Sequence, residues 1–244
     1  MIDMHCHILP GVDDGSKNME TSVGMAEDAL RSGVTEIIAT PHFNCDADDV
    51  GAELDRFERA YDRLTATLRE KKYPLLLHDG AEILCSPTTP ELLRQGLLPT
   101  LAGSRYLLVE FLFDETPDFM DEMLGAIAAE GAVPIVAQPE RYDAGMNYPD
   151  LPLRWFHMGY LLQLNKGSVL GNFGPEVRMT AERLLGAGLA HTVASDAHGV
   201  KARTARLDRL RQILSQNLDP VYVNILLREN PSRIILDQTI IPVE

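Results

Sequence analysis

The segment "MIDMHCHILPGVDDGS" sets Asp3, His5 and His7 at every second position of an otherwise apolar run, and follows them with Asp13 and Asp14. In an extended strand alternate side chains share a face, so two imidazoles and a carboxylate would converge on one small volume. Ile2, Met4, Cys6 and Ile8 would take the other side. A half-buried strand with one wet face gives the same alternation, but further residues weigh against that explanation. His42, Glu82, Glu110, Gln138, Glu140, Arg141, Asp196 and His198 all follow or end apolar, strand-like runs. Imidazole mixed with carboxylate suits Mn, Fe or Zn better than Ca or Mg, and several carboxylates imply bridging between ions. Cys6, Cys45 and Cys85 form no close pair, so neither a zinc knuckle nor a disulfide framework is expected. They do not start a Cys-x5-Arg phosphate loop either, because the residues six places on are Val12, Gly51 and Glu91.

The elements that must carry these groups are legible from periodicity. Apolar, strand-like runs lie near residues 2–7, 34–39, 75–81, 105–110, 133–137, 160–164 and 190–195, which predicts about seven strands. Helical patterns intervene. In "PDFMDEMLGAIAAEG", Pro117 suits a first turn, Phe119, Met120, Met123, Leu124 and Ile127 form one stripe, and Gly131 can end the helix. "NMETSVGMAEDALRSG" and "PEVRMTAERLLGAGL" repeat the pattern, and "NPSRIILDQTIIPVE" reads as a terminal segment packed on the barrel. Alternating strands and helices imply parallel pairing with right-handed crossovers, closing into a shortened relative of the (β/α)8 barrel or lying open as a doubly wound sheet. Both place ligands at the carboxyl ends of the strands. Six of the seven predicted strand ends carry metal-capable or phosphate-capable groups, and scattered surface polarity would not respect strand direction.

At 244 residues, 27.0 kDa and 45% hydrophobic content, the chain is expected to form one α/β domain over 1–244. A formal net charge of −14 argues against a nucleic-acid partner held by a broad basic surface. No apolar run is long enough to insert in a membrane and the start lacks a secretory pattern, so a cytoplasmic protein is expected.

The segments "DMHCHILPGVDDGS", "ATPHF", "GAEI", "LLVEF", "QPERY" and "ASDAHG" resemble the signatures of the PHP (polymerase and histidinol phosphatase) superfamily. Within it, the chain most resembles the bacterial manganese-dependent protein-tyrosine phosphatases of capsule and exopolysaccharide operons. That resemblance implies a distorted (β/α)7 barrel with two or three Mn2+ ions, Fe or Zn being possible substitutes. The first ion would take His5, His7, Glu82 and Asp196, the second Glu82 and Glu110, and the third Asp14, His42 and His198. Where the family has His-Pro-Glu-Arg-Tyr this chain has Gln138, which would offer the second ion a neutral oxygen in place of an imidazole.

Arg141 and Arg203 would clamp a phosphoryl group through planar, bidentate hydrogen bonds, with His198 available for proton transfer. The implied substrate is phosphotyrosine on a protein, such as the C-terminal tail of a bacterial tyrosine kinase. Rival readings are a phosphatase for a small metabolite such as histidinol phosphate, a nucleic-acid phosphodiesterase, and a weakly active phosphotyrosine-binding variant. His78, His157 and His191 fall outside strand ends and read as structural. Arg206, Arg209 and Arg211 read as surface charges, Lys166 as a weak phosphate contact, Asp13 as a turn cap, and Trp155 as core.

Overall fold

The computed structural model describes residues 1–242, so Val243 and Glu244 of the predicted terminal segment lie outside the described residues. Every strand pair is parallel, and helices fill the connections. The barrel-type α/β architecture is present in distorted form, with two differences from the predicted elements. First, the described residues contain nine strands: β1 Ile2–Cys6, β2 Glu36–Ala39, β3 His42–Asn44, β4 Leu76–His78, β5 Glu82–Leu84, β6 Tyr106–Glu110, β7 Val133–Ala137, β8 Leu161–Asn165 and β9 Thr192–Ala194. Second, pairing does not run unbroken around a barrel. It divides into a sheet of order β1-β2-β4 and a sheet of order β3-β5-β6-β7-β8-β9.

The extra strands arise where the second and third predicted runs break. Thr40-Pro41 separates β2 from β3, and Asp79-Gly80-Ala81 separates β4 from β5. Proline cannot donate to a ladder, and a Cβ on Gly80 would stand 3.1 Å from side-chain carbons of Ile38 and Leu101. Each break starts a new strand with a polar residue, His42 or Glu82. On the opposite side the two sheets are stitched together: the Asp196 N–H donates to the His5 carbonyl at 2.9 Å, and the His7 N–H to that of Ala197 at 2.9 Å.

The helices follow their sequence signals. Asn18 caps Met19–Arg31 by accepting from the Thr21 N–H, and Thr116 caps Pro117–Ala129 ahead of its N-terminal proline. The latter helix buries Met120, Met123, Leu124 and Ile127, the predicted stripe apart from the half-buried Phe119. A large apolar core packs these helices on the sheets. A smaller one gathers Met4, Ile38, Leu108, Ile135, Leu161 and Ala194 with Ile234 of the helix Asn230–Ile235. His42, Glu82, Leu108, Ile135 and Leu161 are aligned in one row across the second sheet, so the polar residues stand on the same face as this apolar floor.

Candidate metal centre

His5 and His7 leave the end of β1 with their rings buried and their Nδ1 atoms already engaged. His5 Nδ1 lies 2.7 Å from Oε1 of Gln163, and His7 Nδ1 lies 2.8 Å from Oδ2 of Asp13. Both acceptors fix the proton on Nδ1, so both Nε2 atoms present lone pairs. Those two Nε2 atoms are 3.1 Å apart. Neither can donate to the other. Glu82 Oε2 stands 3.1 Å from His5 Nε2 and 3.3 Å from His7 Nε2, and Asp196 Oδ1 stands 3.6 and 3.4 Å from the same atoms. Ligand atoms bound at about 2.1 Å to one ion stand about 3.0 to 3.4 Å apart at octahedral and tetrahedral angles. All but the 3.6 Å separation fall in that range, as the donors around a single cation would.

Two further groups adjoin it. His42 Nδ1 lies 2.6 Å from Glu110 Oε1 and 3.2 Å from Glu82 Oε2, while Asp14 Oδ1 lies 3.5 Å from His42 Nε2 and 3.3 Å from His198 Nε2. Within each of three sets, His5/His7/Asp196, His42/Glu82/Glu110 and His7/Asp14/His42/His198, the donor atoms all lie within 4.8 Å of one another. The buried atoms Glu82 Oε2, Asp196 Oδ1 and His198 Nε2 have no hydrogen-bond partner. Buried polar atoms are rarely left so, and here they converge on one volume; the donor set fits divalent cations.

The electrostatics show how much negative charge is gathered here, charge that a cation would balance in place of a proton. Burial opposes charge on His5 and His7, but the carboxylates of Glu82, Asp196 and, for His7, Asp13 outweigh it and raise both imidazoles. Burial likewise works against the Glu82 and Asp196 carboxylates, and the imidazoles, with Arg203 at Asp196, hold both below the usual carboxylate range. His198 moves the other way: burial, reinforced by His7, lowers it to about 4. Burial lifts Glu140 to about 7; its Oε1 accepts from the Asn165 N–H at 2.8 Å.

The turn after β1 explains "PGVDDGS". Its chain folds back so that the Ser16 N–H reaches the His7 carbonyl at 3.0 Å, and a Cβ on Gly15 would collide with Cβ and the carbonyl of His7. Asp13 faces inward and also accepts from the Gly15 and His42 N–H groups at 2.9 and 3.2 Å. Asp14 points out, its side chain 68% exposed, toward His42 and His198.

Gln138 sits at the end of β7 beside Glu82, with Nε2 at 3.5 Å from Glu82 Oε1. Its carbonyl oxygen accepts from Arg141 and from Asn165 Nδ2, so the structure turns that oxygen toward the phosphate-side residues. The Arg141 guanidinium is sandwiched between Phe113 and Phe173, its carbon 4.6 and 4.2 Å from the ring centres. Arg203 donates to Asp196 Oδ2 at 2.5 Å. Both arginines reach the edge of the cluster. Lys166 does not: its ammonium donates to the carbonyls of Thr204 and Arg206. His78 pairs with Glu36, His191 is buried against Phe156, and Trp155 is buried with Nε1 donating to Asp121; none joins the cluster.

Sequence reasoning missed Gln163 and Asn165. Asn165 Nδ2 donates to Asp196 Oδ2 at 2.5 Å, and Gln163 orients His5. The signal was there, since "LLQLN" alternates polar and apolar residues as "DMHCH" does.

A parallel α/β fold with buried imidazole and carboxylate donors at its strand ends defines a hydrolase-type metal centre. The profile of the family "Capsular polysaccharide synthesis, CpsB/CapC" matches residues 1–236, and the chain belongs to that family. It is 34% identical over 240 residues to the tyrosine-protein phosphatase YwqE of Bacillus subtilis, covering 98% of this chain and 93% of that one. It is 30% identical over 245 residues to the tyrosine-protein phosphatase CpsB of Streptococcus pneumoniae, covering 98% and 100%. Crystal structures of those two proteins, described as metal-dependent tyrosine phosphatases, include one that superposes with a TM-score of 0.89 at 32% identity over the full length of both chains. A histidinol phosphate phosphatase from Lactococcus lactis shares the fold at a TM-score of 0.55 and 13% identity, covering 89% of this chain and 94% of that one.

Proposed function

We propose that this chain is a metal-dependent protein-tyrosine phosphatase, acting as a single catalytic domain in the cytoplasm on a bacterial tyrosine kinase tail in capsule or exopolysaccharide regulation. The observation that carries the chemistry is the convergence of unprotonated Nε2 atoms and unpartnered carboxylate oxygens at one point flanked by two arginines. The names of full-length relatives supply the substrate class.

His5, His7, Glu82 and Asp196 would hold one ion, with Glu110 contributing to a second and Asp14, His42 and His198 to a third. Gln138, its oxygen committed to Arg141 and Asn165, would join the second only by turning that oxygen toward Glu82. Mn2+ suits this mixed set. Bound there, the ions supply positive charge for the phosphoryl oxygens and lower the pKa of water toward about 7. Arg141, held flat between two phenyl rings, and Arg203, fixed by Asp196, hold the phosphoryl group and balance its charge in the transition state. His198 spends its Nδ1 on the Asp196 carbonyl at 3.1 Å, so Nε2 is a lone pair and suits ligation better than proton donation. A phenolic leaving group, with a reference pKa of about 10, asks little of a general acid.

The cysteines take no part. Cys6, Cys45 and Cys85 are buried, and burial pushes Cys6 and Cys85 well above the usual thiol range and Cys45 up to about 11. The test is metal analysis of the purified protein with a phosphotyrosine-peptide assay, run with and without Mn2+. Turnover of the peptide that requires metal supports the proposal. Turnover of histidinol phosphate alone overturns it.

A further inference from the structure

Beside the metal centre lies a cleft of about 630 Å³ lined by Lys166, Phe173, Lys201, Arg203, Arg206 and Arg209 among others, with Asp208 its single acidic side chain. The chain as a whole carries a formal charge of −14, so this concentration of cations is against the general composition. The cleft is continuous with the site. Arg203 and Asn165 form part of its wall, and both donate to Asp196 Oδ2. Phe173 is shared in the same way, one side lining the cleft and its ring stacked on Arg141.

The cationic wall is also held in place. Lys166 lies buried beneath it and ties down the carbonyls of Thr204 and Arg206, and the His198 N–H donates to the Arg203 carbonyl at 2.8 Å. Arg206 is paired with Asp208 at 2.7 Å. Among the described residues Lys201 and Arg209, both exposed, have no carboxylate partner. A fixed cleft with two uncompensated cations next to a phosphate-binding centre attracts an anion tethered to the same substrate.

We infer that the cleft is a subsite for an anionic side chain, a carboxylate or a second phosphate, lying one to three residues from the phosphotyrosine of a polypeptide substrate. An extended chain advances about 3.3 to 3.6 Å per residue, so one to three residues span about 3 to 11 Å, the scale of a single cleft whose wall holds Arg203 together with Lys201 and Arg209. The inference rests on the phosphatase proposal above. It adds that the enzyme selects acidic sequence around its target.

The experiment compares the full-length, Mn2+-loaded wild type with the Lys201→Glu/Arg209→Glu variant on four substrates. These are phosphotyrosine peptides flanked by glutamates, by a second phosphotyrosine or by alanines, and p-nitrophenyl phosphate. Both substituted residues are exposed, and a thermal melt checks that the variant folds. The expected result is a KM raised about tenfold on at least one anionic peptide with kcat kept, and unchanged kinetics on the alanine-flanked peptide and on p-nitrophenyl phosphate. A response to glutamate flanks identifies a carboxylate as the occupant, and a response confined to the doubly phosphorylated peptide identifies phosphate. Equal KM values for anionic and alanine-flanked peptides in the wild type, or an equal loss on p-nitrophenyl phosphate, overturn the subsite and leave the phosphatase proposal standing. Failure of the wild type on every phosphotyrosine peptide overturns that proposal and the subsite with it.

Discussion

Replacing Asp13 by asparagine changes no shape and one charge, yet the surrounding hydrogen bonds leave the amide no good orientation. The carboxylate accepts three times: from His7 Nδ1 at 2.8 Å, from the His42 N–H at 3.2 Å through the same oxygen, and from the Gly15 N–H at 2.9 Å through the other. Its side chain is only 5% exposed, so water cannot substitute. If the asparagine oxygen faces His7, its NH2 group faces the Gly15 N–H, and two donors oppose each other. If the oxygen faces Gly15, the NH2 group meets His7 Nδ1, and the imidazole must move its proton to Nε2. That atom is the one standing 3.1 to 3.4 Å from His5, Glu82 and Asp196, and a protonated nitrogen cannot ligate.

Either orientation leaves a buried donor unsatisfied or a ligand lost, at a cost of about 1 to 3 kcal/mol. Removing the partner that orients a metal-bound histidine typically costs about 10 to 100-fold in affinity or activity, which is about 1.4 to 2.7 kcal/mol. The two estimates agree. Asp13→Asn should therefore bind Mn2+ about 10 to 100-fold more weakly, measured by competition with a chromophoric chelator. Its kcat/KM at limiting Mn2+ should fall in proportion, while a thermal melt confirms the fold. Affinity and kcat/KM both within twofold of wild type would refute the reasoning and return Asp13 to a turn cap.

Gln138→His should strengthen binding of the ion beside Glu82 and Glu110 and raise kcat/KM by about tenfold or more, because an imidazole replaces a neutral oxygen now committed to Arg141 and Asn165; metal stoichiometry for both versions checks it. Activity should disappear with chelator and return with Mn2+, yet persist after thiol alkylation under native conditions, since all three cysteines are buried. His191, whose burial lowers it to about 4 against an ordinary 6.5, accepts from the Leu162 N–H only while neutral. The unfolded chain therefore binds the extra proton between those values: His191's contribution is complete above about pH 6.5 and declines toward pH 4, by up to about 3 kcal/mol. Denaturant melts at pH 7 and 5 should show a smaller decline for His191→Asn, and equal declines would count against this assignment.

The position of the donors was legible because two simple regularities coincide. Strand alternation gathers His5 and His7, and parallel sheets concentrate ligands at carboxyl ends. Glu110 ends β6, Asp196 and His198 follow β9, and His42 and Glu82 lie just past the ends of β2 and β4 although they open β3 and β5. The breaks at Pro41 and Gly80 were not legible, because one or two residues do not disturb an apolar run when the chain resumes in the same direction. They matter, since they let His42 and Glu82 begin fresh strands beside the cluster. Asp13 and Asp14 are identical and adjacent, and only the fold of the turn decides which meets His7 and which faces outward. Arg209 read as a surface charge from sequence; its place in the cleft depends on a loop anchored by a lysine some forty positions earlier.

The backbone carries a part of the site that no side-chain pattern announces. Gln138, Asp196 and Arg203 are non-glycine residues with φ of 46°, 49° and 46°, in the left-handed region. Such a conformation costs of order 1 to 3 kcal/mol in sparsely populated cases and persists only where surrounding structure over-determines it. Here hydrogen bonds do so: Gln138 N–H to the Gln163 carbonyl at 2.8 Å, Asp196 N–H to that of His5 at 2.9 Å, and His198 N–H to that of Arg203 at 2.8 Å. Gln138 and Asp196 directly follow β7 or lie two residues past β9, where the left-handed turn ends the strand and directs a polar side chain across its carboxyl end. The strands that hold these bends also carry His5 and Gln163, so strain at one ligand is restrained by the element that supplies another. A centre built this way positions its donors through the backbone as well as through side-chain contacts, and the charge of Glu82 and Asp196 is offset by His5, His7 and Arg203, that of Glu110 by His42.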